Sequence, residues 1–219
     1  MKLVHAAYEP GGAGPHPTII AMHGWGSNAL DLIGLAPYIA AGRFLVLCPQ
    51  GPLDVSIGAV NGYGWYQMRP GSPPDEAAMA EAVGKMNAFI DAAATRYPID
   101  MKRLVILGFS QGGVMAYNIA MRDPARFAAL VALSTWFPDG LADLANDRAA
   151  LERMPTLVQH GRADDAIEIG RARKSVERIR ALDIPVVYHE YDCGHEITVD
   201  MLEDLTKFLN GKVPNSGAQ

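Results

Sequence analysis

The segment Gly108-Phe109-Ser110-Gln111-Gly112 constrains this chain more than any other. The apolar run Leu104-Val105-Ile106-Leu107 leads straight into it, and Gly113 to Ala120 has helical character behind it. Gly-x-Ser-x-Gly at a strand-to-helix junction is the pattern of a nucleophile elbow, a sharp turn that pushes a serine hydroxyl out of the backbone. The glycines suit a place where strand and helix approach too closely for side chains. A chain carrying this junction must build a strand, a tight turn and a helix in that order.

The rest of the sequence repeats that alternation. Thr18–Met22, Phe44–Cys48, Leu104–Leu107, Ala129–Leu133, Thr156–Gln159 and Pro185–Tyr191 read as buried strands. Between them, Asn28–Ala40, Asp75–Tyr97, the elbow helix to about Met121, Ile169–Leu182 and a last segment from Ile197 read as helices, with Asp139–Glu152 partly helical. In Asp75–Tyr97 the residues Met79, Ala82, Val83, Met86, Phe89, Ile90 and Ala93 fall on one face, and Pro98 ends the run. Continuous apolar strands alternating with helices imply an α/β fold with a mostly parallel central sheet and helices on both faces. No linker divides residues 1–219, so one domain is expected. Residues 61–74 are expected to act as a cap or lid over one end of the sheet, and residues 213–219 as a flexible tail.

Composition narrows the partners. A net charge of −5 argues against nucleic acid or a stable membrane association. The basic run Arg171-Ala172-Arg173-Lys174 is interleaved with Glu168 and Glu177 beside an apolar stripe, and reads as a solvated helix face. No apolar stretch has the length of a membrane span or a signal peptide, and the two cysteines, Cys48 and Cys193, fit a reducing compartment, so a cytoplasmic location is expected. The cysteines show no metal-ligand spacing, and neither a metal nor an organic cofactor is called for.

In open α/β sheets the reactive groups gather beyond the carboxyl ends of the strands. A serine hydroxyl needs a neighbouring base, and at neutral pH a histidine serves. The chain order should be serine, acid, histidine. His195, within Asp192-Cys193-Gly194-His195-Glu196, follows the last strand and alone meets both position and order. The acid should lie in His160-Gly161-Arg162-Ala163-Asp164-Asp165-Ala166-Ile167, after the strand Thr156–Gln159. Asp164 and Asp165 are adjacent, spacing does not choose between them, and Glu168 is a weaker third option. An oxyanion hole needs two backbone N–H donors. Gln111 supplies one, and the Gly-rich loop His23-Gly24-Trp25-Gly26-Ser27-Asn28 is placed to supply the other.

These motifs resemble the phospholipase/carboxylesterase family of small α/β-hydrolases, which includes acyl-protein thioesterases. The resemblance rests on His23-Gly24-Trp25-Gly26, the Gly108–Gly113 elbow, His160-Gly161-Arg162-Ala163-Asp164 and Gly194-His195, and runs from Thr18 to Phe208. It implies the α/β-hydrolase fold, Asp164 as the acid, and the amides of Trp25 and Gln111 as the oxyanion donors. The chain departs from the family at Trp25, where leucine is common, at Ser27, where an acidic residue is common, and after the acid, where Asp165-Ala166-Ile167 replaces a proline and a valine-rich segment.

Together these readings give a serine carboxylesterase working through an acyl-enzyme on Ser110, with Asp164 and His195, on short to medium acyl or aryl esters. Trp25, Trp65, Tyr66, Met68, Phe109, Trp136 and Phe137 are candidates to line the substrate pocket. Acyl-thioesterase or lysophospholipase activity is the alternative within the family, and a non-catalytic ligand-binding protein on the same scaffold is the alternative outside it. The expected partner is a small-molecule ester, and the expected assembly a monomer or homodimer.

Overall fold

A computed structural model of the chain describes residues 3–58, 60–68 and 75–214. Its strands are β1 (His5–Tyr8), β2 (His16–Met22), β3 (Leu45–Pro49), β4 (Leu53–Ile57), β5 (Val60–Gly64), β6 (Ile99–Phe109), β7 (Ala129–Leu133), β8 (Thr156–Gly161) and β9 (Val186–Tyr191). Its α-helices are α1 (Glu76–Arg96), α2 (Gln111–Arg122), α3 (Arg148–Leu151), α4 (Ile169–Ala181) and α5 (Val199–Lys212). Seven strands form one sheet in the order β1-β3-β2-β6-β7-β8-β9, parallel except for β1 against β3.

Each inner strand is buried on both faces, and its side chains divide with a period of two. Ile20, Met22, Leu104, Ile106, Leu130 and Ala132 meet the apolar stripes of α1, α2 and α4 on one side. Ile19, Ala21, Val105, Leu107, Val131 and Leu133 meet Leu205, Phe208 and Leu209 of α5 on the other. The buried face of α1 consists of Met79, Ala82, Val83, Met86, Phe89, Ile90 and Ala93, and Asp75 caps it by accepting the Ala78 amide at 2.8 Å. Fully buried side chains such as Met86 and Ile90 each stabilise the fold by roughly 1.5–3 kcal/mol.

Three expectations need correction. Asn28–Ala40 is not an α-helix but a run of turns with 3-10 segments at Ile33–Leu35 and Ile39–Gly42. Pro37 sits where a helix needs an N–H donor, and the Asn28 side chain draws the Leu30 amide (2.8 Å) into a local turn. Leu32, Ala36 and Ile39 nevertheless pack against the sheet, so this face is covered by turns and α5. Second, residues 60–64 belong to an antiparallel hairpin, β4–β5, pinned to the Trp25 loop; of the expected lid, residues 69–74 lie outside the described residues. Third, Val213 is buried, and its carbonyl accepts from Arg43 Nη2 at 2.6 Å, so the ordered chain continues past the point where a tail was expected. Residues 215–219 lie outside the described residues.

Because β6, β7, β8 and β9 run parallel and Phe109 pairs with Leu133 and Gly161 with Tyr191, the segments leaving them emerge along one edge of the sheet.

Candidate active site

Ser110 sits between β6 and α2 at φ 54° and ψ −119°, a conformation that L residues avoid at a cost of about 1–3 kcal/mol. Its neighbours hold it there. The Ser110 amide donates to Leu133 O (3.0 Å), and its carbonyl accepts from Gly113 N (3.0 Å), Val114 N (3.3 Å) and Thr135 Oγ1 (2.7 Å). The flanking glycines answer a packing demand: a Cβ at Gly112 would lie 2.0 Å from Met22 O, and one at Gly108 would lie 2.1 Å from Gly112 O. Strand β2 therefore runs directly under the turn.

His195 and Asp164 are brought together from the segments after β9 and β8. His195 Nδ1 lies 2.8 Å from Asp164 Oδ2, and the other oxygen, Oδ1, accepts the amides of Ala166 (3.0 Å) and Ile167 (2.8 Å). The Asp164 side chain is fully buried, whereas Asp165 and Glu168 are exposed. A carboxylate oxygen only accepts, so Nδ1 of His195 carries its proton and Nε2 presents a lone pair. The Phe109 ring packs on the His195 imidazole with centroids 4.8 Å apart, placing that ring beside the residue that precedes Ser110.

A second histidine touches the same carboxylate. His160 is fully buried, its Nε2 donates to Ile167 O at 2.7 Å, and that nitrogen is 3.3 Å from Asp164 Oδ2. Burial lowers its pKa, with the Ile167 carbonyl and Asp164 opposing. The sequence marks His160 as the start of the acid-bearing segment His160–Asp164 and gives it no role of its own. Its spacing of four from Asp164, across the turn that ends β8, was the signal that the two could meet.

The loop after β2 is braced from below. His23 Nδ1 donates to Gly24 O (2.7 Å) and Nε2 accepts from Gly51 N (3.0 Å), which fixes a neutral tautomer; burial lowers the pKa of this imidazole too. Trp65 Nε1 donates to His23 O at 2.8 Å. The β4–β5 hairpin adds Gly26 N to Tyr63 O (2.9 Å) and Tyr63 N to Ser27 O (2.7 Å). Gln111, first in α2, joins both sides: its side chain accepts from Trp65 N (3.0 Å) and donates to Tyr66 O (2.7 Å). The two segments expected to carry oxyanion donors, Trp25 and Gln111, are thus tied to one scaffold.

The aromatic candidates divide. Phe109 and Trp136 are half-buried, and Met68 is 39% exposed. Trp65 and Tyr66 are buried beneath the site by the Gln111 clamp. Phe137 is 1% exposed and packs edge-on against Tyr117, with ring centroids 5.2 Å apart. Among the described residues no group of three His, Cys, Asp or Glu side chains converges as metal ligands, and no helix is long and apolar enough to cross a membrane.

The model of the phospholipase/carboxylesterase family matches residues 4–213. The chain belongs to that family. It is 24% identical over 202 residues to acyl-protein thioesterase 1 of Gibberella zeae, covering 88% of this chain and 86% of that protein. To acyl-protein thioesterase 1 of Mycosarcoma maydis it is 25% identical over 227 residues, covering 93% and 94%. The carboxylesterase of Bacillus cereus superposes with a TM-score of 0.81 at 20% identity, covering 96% of this chain and 94% of that one. The fold is therefore that of the α/β-hydrolases. Membership of the phospholipase/carboxylesterase family makes the chain a hydrolase of ester or thioester substrates.

Proposed function

We propose that the protein is a serine carboxylesterase that hydrolyses short to medium acyl esters in two steps. Ser110 attacks the ester carbonyl, His195 Nε2 takes the hydroxyl proton and returns it to the leaving alcohol, and water then releases the acid from the acyl-enzyme by the same proton route. Asp164 holds the imidazole in the tautomer that leaves Nε2 free. The amides of Trp25 and Gln111 stabilise the oxyanion, braced by the hairpin and the Gln111 side chain. The observation that carries this reading is the 2.8 Å contact between His195 Nδ1 and a buried Asp164, at the sheet edge where Ser110 is held at φ 54°.

Thioesters are the second reading, favoured by the two relatives named acyl-protein thioesterase 1. The same groups serve both chemistries, and kcat/KM on matched oxygen and sulfur esters separates them. The first test is labelling by a fluorophosphonate together with p-nitrophenyl butyrate turnover. Both are expected in the wild type, and Ser110→Ala is expected to lose labelling and at least about four powers of ten in kcat. A folded wild-type protein that does neither is a binding protein on a hydrolase scaffold.

A further inference from the structure

The basic residues of α4 are exposed, as expected of a solvated face, but their partners differ. Arg173 makes two hydrogen bonds to Glu190 (2.8 and 2.9 Å), and Arg178 pairs with Asp139. Arg171 turns the other way. Its guanidinium lies over the Trp136 ring, 4.1 Å from the centroid. A cation over an aromatic face is held by the ring's charge distribution without using its N–H donors. Among the described residues none of these donors has a hydrogen-bond or ion-pair partner.

Trp136 follows Thr135, whose hydroxyl donates to the Ser110 carbonyl, so the ring stands one residue from a direct contact to the elbow. On the other side, the Gln111 clamp holds Tyr66, and the Tyr66 side chain is within electrostatic reach of Arg171. The Tyr66 hydroxyl is buried and has no hydrogen-bond partner. Burial lowers the Arg171 pKa, so this cation has already given up part of its hydration. Two acidic groups lie near it: Asp139, which is committed to Arg178, and the exposed Glu168. A guanidinium held over Trp136 with its N–H donors unused suits a planar oxyanion.

We infer that Arg171, laid on Trp136, is a carboxylate-binding subsite, and that the preferred substrates are esters carrying a free carboxylate away from the scissile bond. Its edge would take the carboxylate in a two-pronged hydrogen bond, with Tyr66 on the same side. The inference deepens the esterase reading and rests on it for the word substrate.

Two measurements test it separately. The first needs no turnover: Ser110→Ala is titrated calorimetrically with monomethyl adipate and with dimethyl adipate, and the titration is repeated in Ser110→Ala/Arg171→Gln. The monoester is expected to bind more tightly than the diester, with that discrimination reduced about ten- to hundredfold by the second substitution. Equal binding of the two esters, or discrimination that survives Arg171→Gln, overturns the subsite. The second measurement is kinetic. Ratios of kcat/KM for anionic over neutral isosteric esters are compared in wild type and Arg171→Gln, with the carboxylate on the acyl side (p-nitrophenyl hemiesters of C6 to C8 dicarboxylic acids) or the alcohol side (acetate esters of ω-hydroxy acids). A ratio that falls at least about tenfold in either series assigns the side. In that series the wild-type ratio is also expected to decline in high salt, a readout that needs no variant. Independence of Arg171 in both series overturns the role in substrate choice. An unlabelled Ser110 with no ester turnover removes the esterase reading, while the calorimetric titration still decides the subsite.

Discussion

An Asp164→Asn substitution keeps the shape of the side chain and exchanges one acceptor oxygen for an NH2 group. Asp164 uses both oxygens: Oδ1 accepts two amides, from Ala166 and Ile167, and Oδ2 accepts His195 Nδ1–H. Asparagine has one oxygen for these roles. Two hydrogen bonds outweigh one, so the oxygen stays with the loop amides and the NH2 group faces His195. The imidazole must then present a bare Nδ1 and carry its proton on Nε2, where it can no longer accept from Ser110. The wrong-tautomer penalty is about 10⁴ in kcat, or about 5.5 kcal/mol of transition-state stabilisation. Because the loop amides remain satisfied, the melting temperature should hardly move. Asp165→Asn, on an exposed neighbour, should cost less than about tenfold. The assay is p-nitrophenyl butyrate turnover with active-site titration, paired with ¹⁵N imidazole spectra that report which nitrogen of His195 is protonated. A loss below tenfold for Asp164→Asn, or a larger loss for Asp165→Asn, would refute the reasoning.

Other perturbations probe the scaffold and the substrate. Gly62→Ala places a Cβ 1.8 Å from Gly26 O, where backbone must give way, and should cost about 1–3 kcal/mol of stability together with activity, since the hairpin braces the Trp25 loop. An unchanged urea midpoint and rate would show that the hairpin floats free of the site. His23 and His160 are buried with pKa values below the ordinary 6.5, so below that pH the unfolded chain binds more protons than the folded one. Stability should be level above about pH 7 and fall below 6.5, by up to about 1.4 kcal/mol per pH unit for each histidine. His160→Gln should shallow the slope, and a protein that grows more stable between pH 7 and 5.5 contradicts this. Butyryl esters should turn over faster than palmitoyl esters in detergent-controlled assays; the reverse would show a deeper acyl channel than the bulk of Trp25 in the loop after β2 suggests.

How far the sequence could be read depended on whether neighbouring residues or distant ones decided each feature. The elbow was legible because its turn, its glycines and its flanking strand and helix all lie within some fifteen residues. The face of α1 was legible because one helical period decides it, and all seven residues on that stripe are buried. The β4–β5 hairpin was overlooked, although Leu53, Val55 and Ile57 alternate with Asp54 and Ser56. The surrounding glycines and prolines hid that short alternation, and what fixes the hairpin is its docking on Ser27, about 35 residues earlier in the chain. Asn28–Ala40 misled because its apolar residues keep a helical spacing while Pro37 and the Asn28 turn break the backbone. The contact between His160 and Asp164 carried a local signal in their spacing of four, whereas that between Arg171 and Trp136 joins positions 35 residues apart and has no pattern in the sequence.

The segments carrying Asp164 and His195 are stitched to each other by main-chain bonds, Arg162 N to Tyr191 O and Ala163 N to Cys193 O, and by Arg162 reaching Asp192 at 2.6 Å. Two loops so joined can shift only in concert, like the two halves of a hinge pinned shut. Sequence drift that lengthened either one would misplace the proposed acid and base together. Met68 and Trp136 belong to other segments, after β5 and β7. Divergence in substrate choice among relatives of this chain should therefore collect outside the two stitched segments, whose lengths the proposed acid and base require.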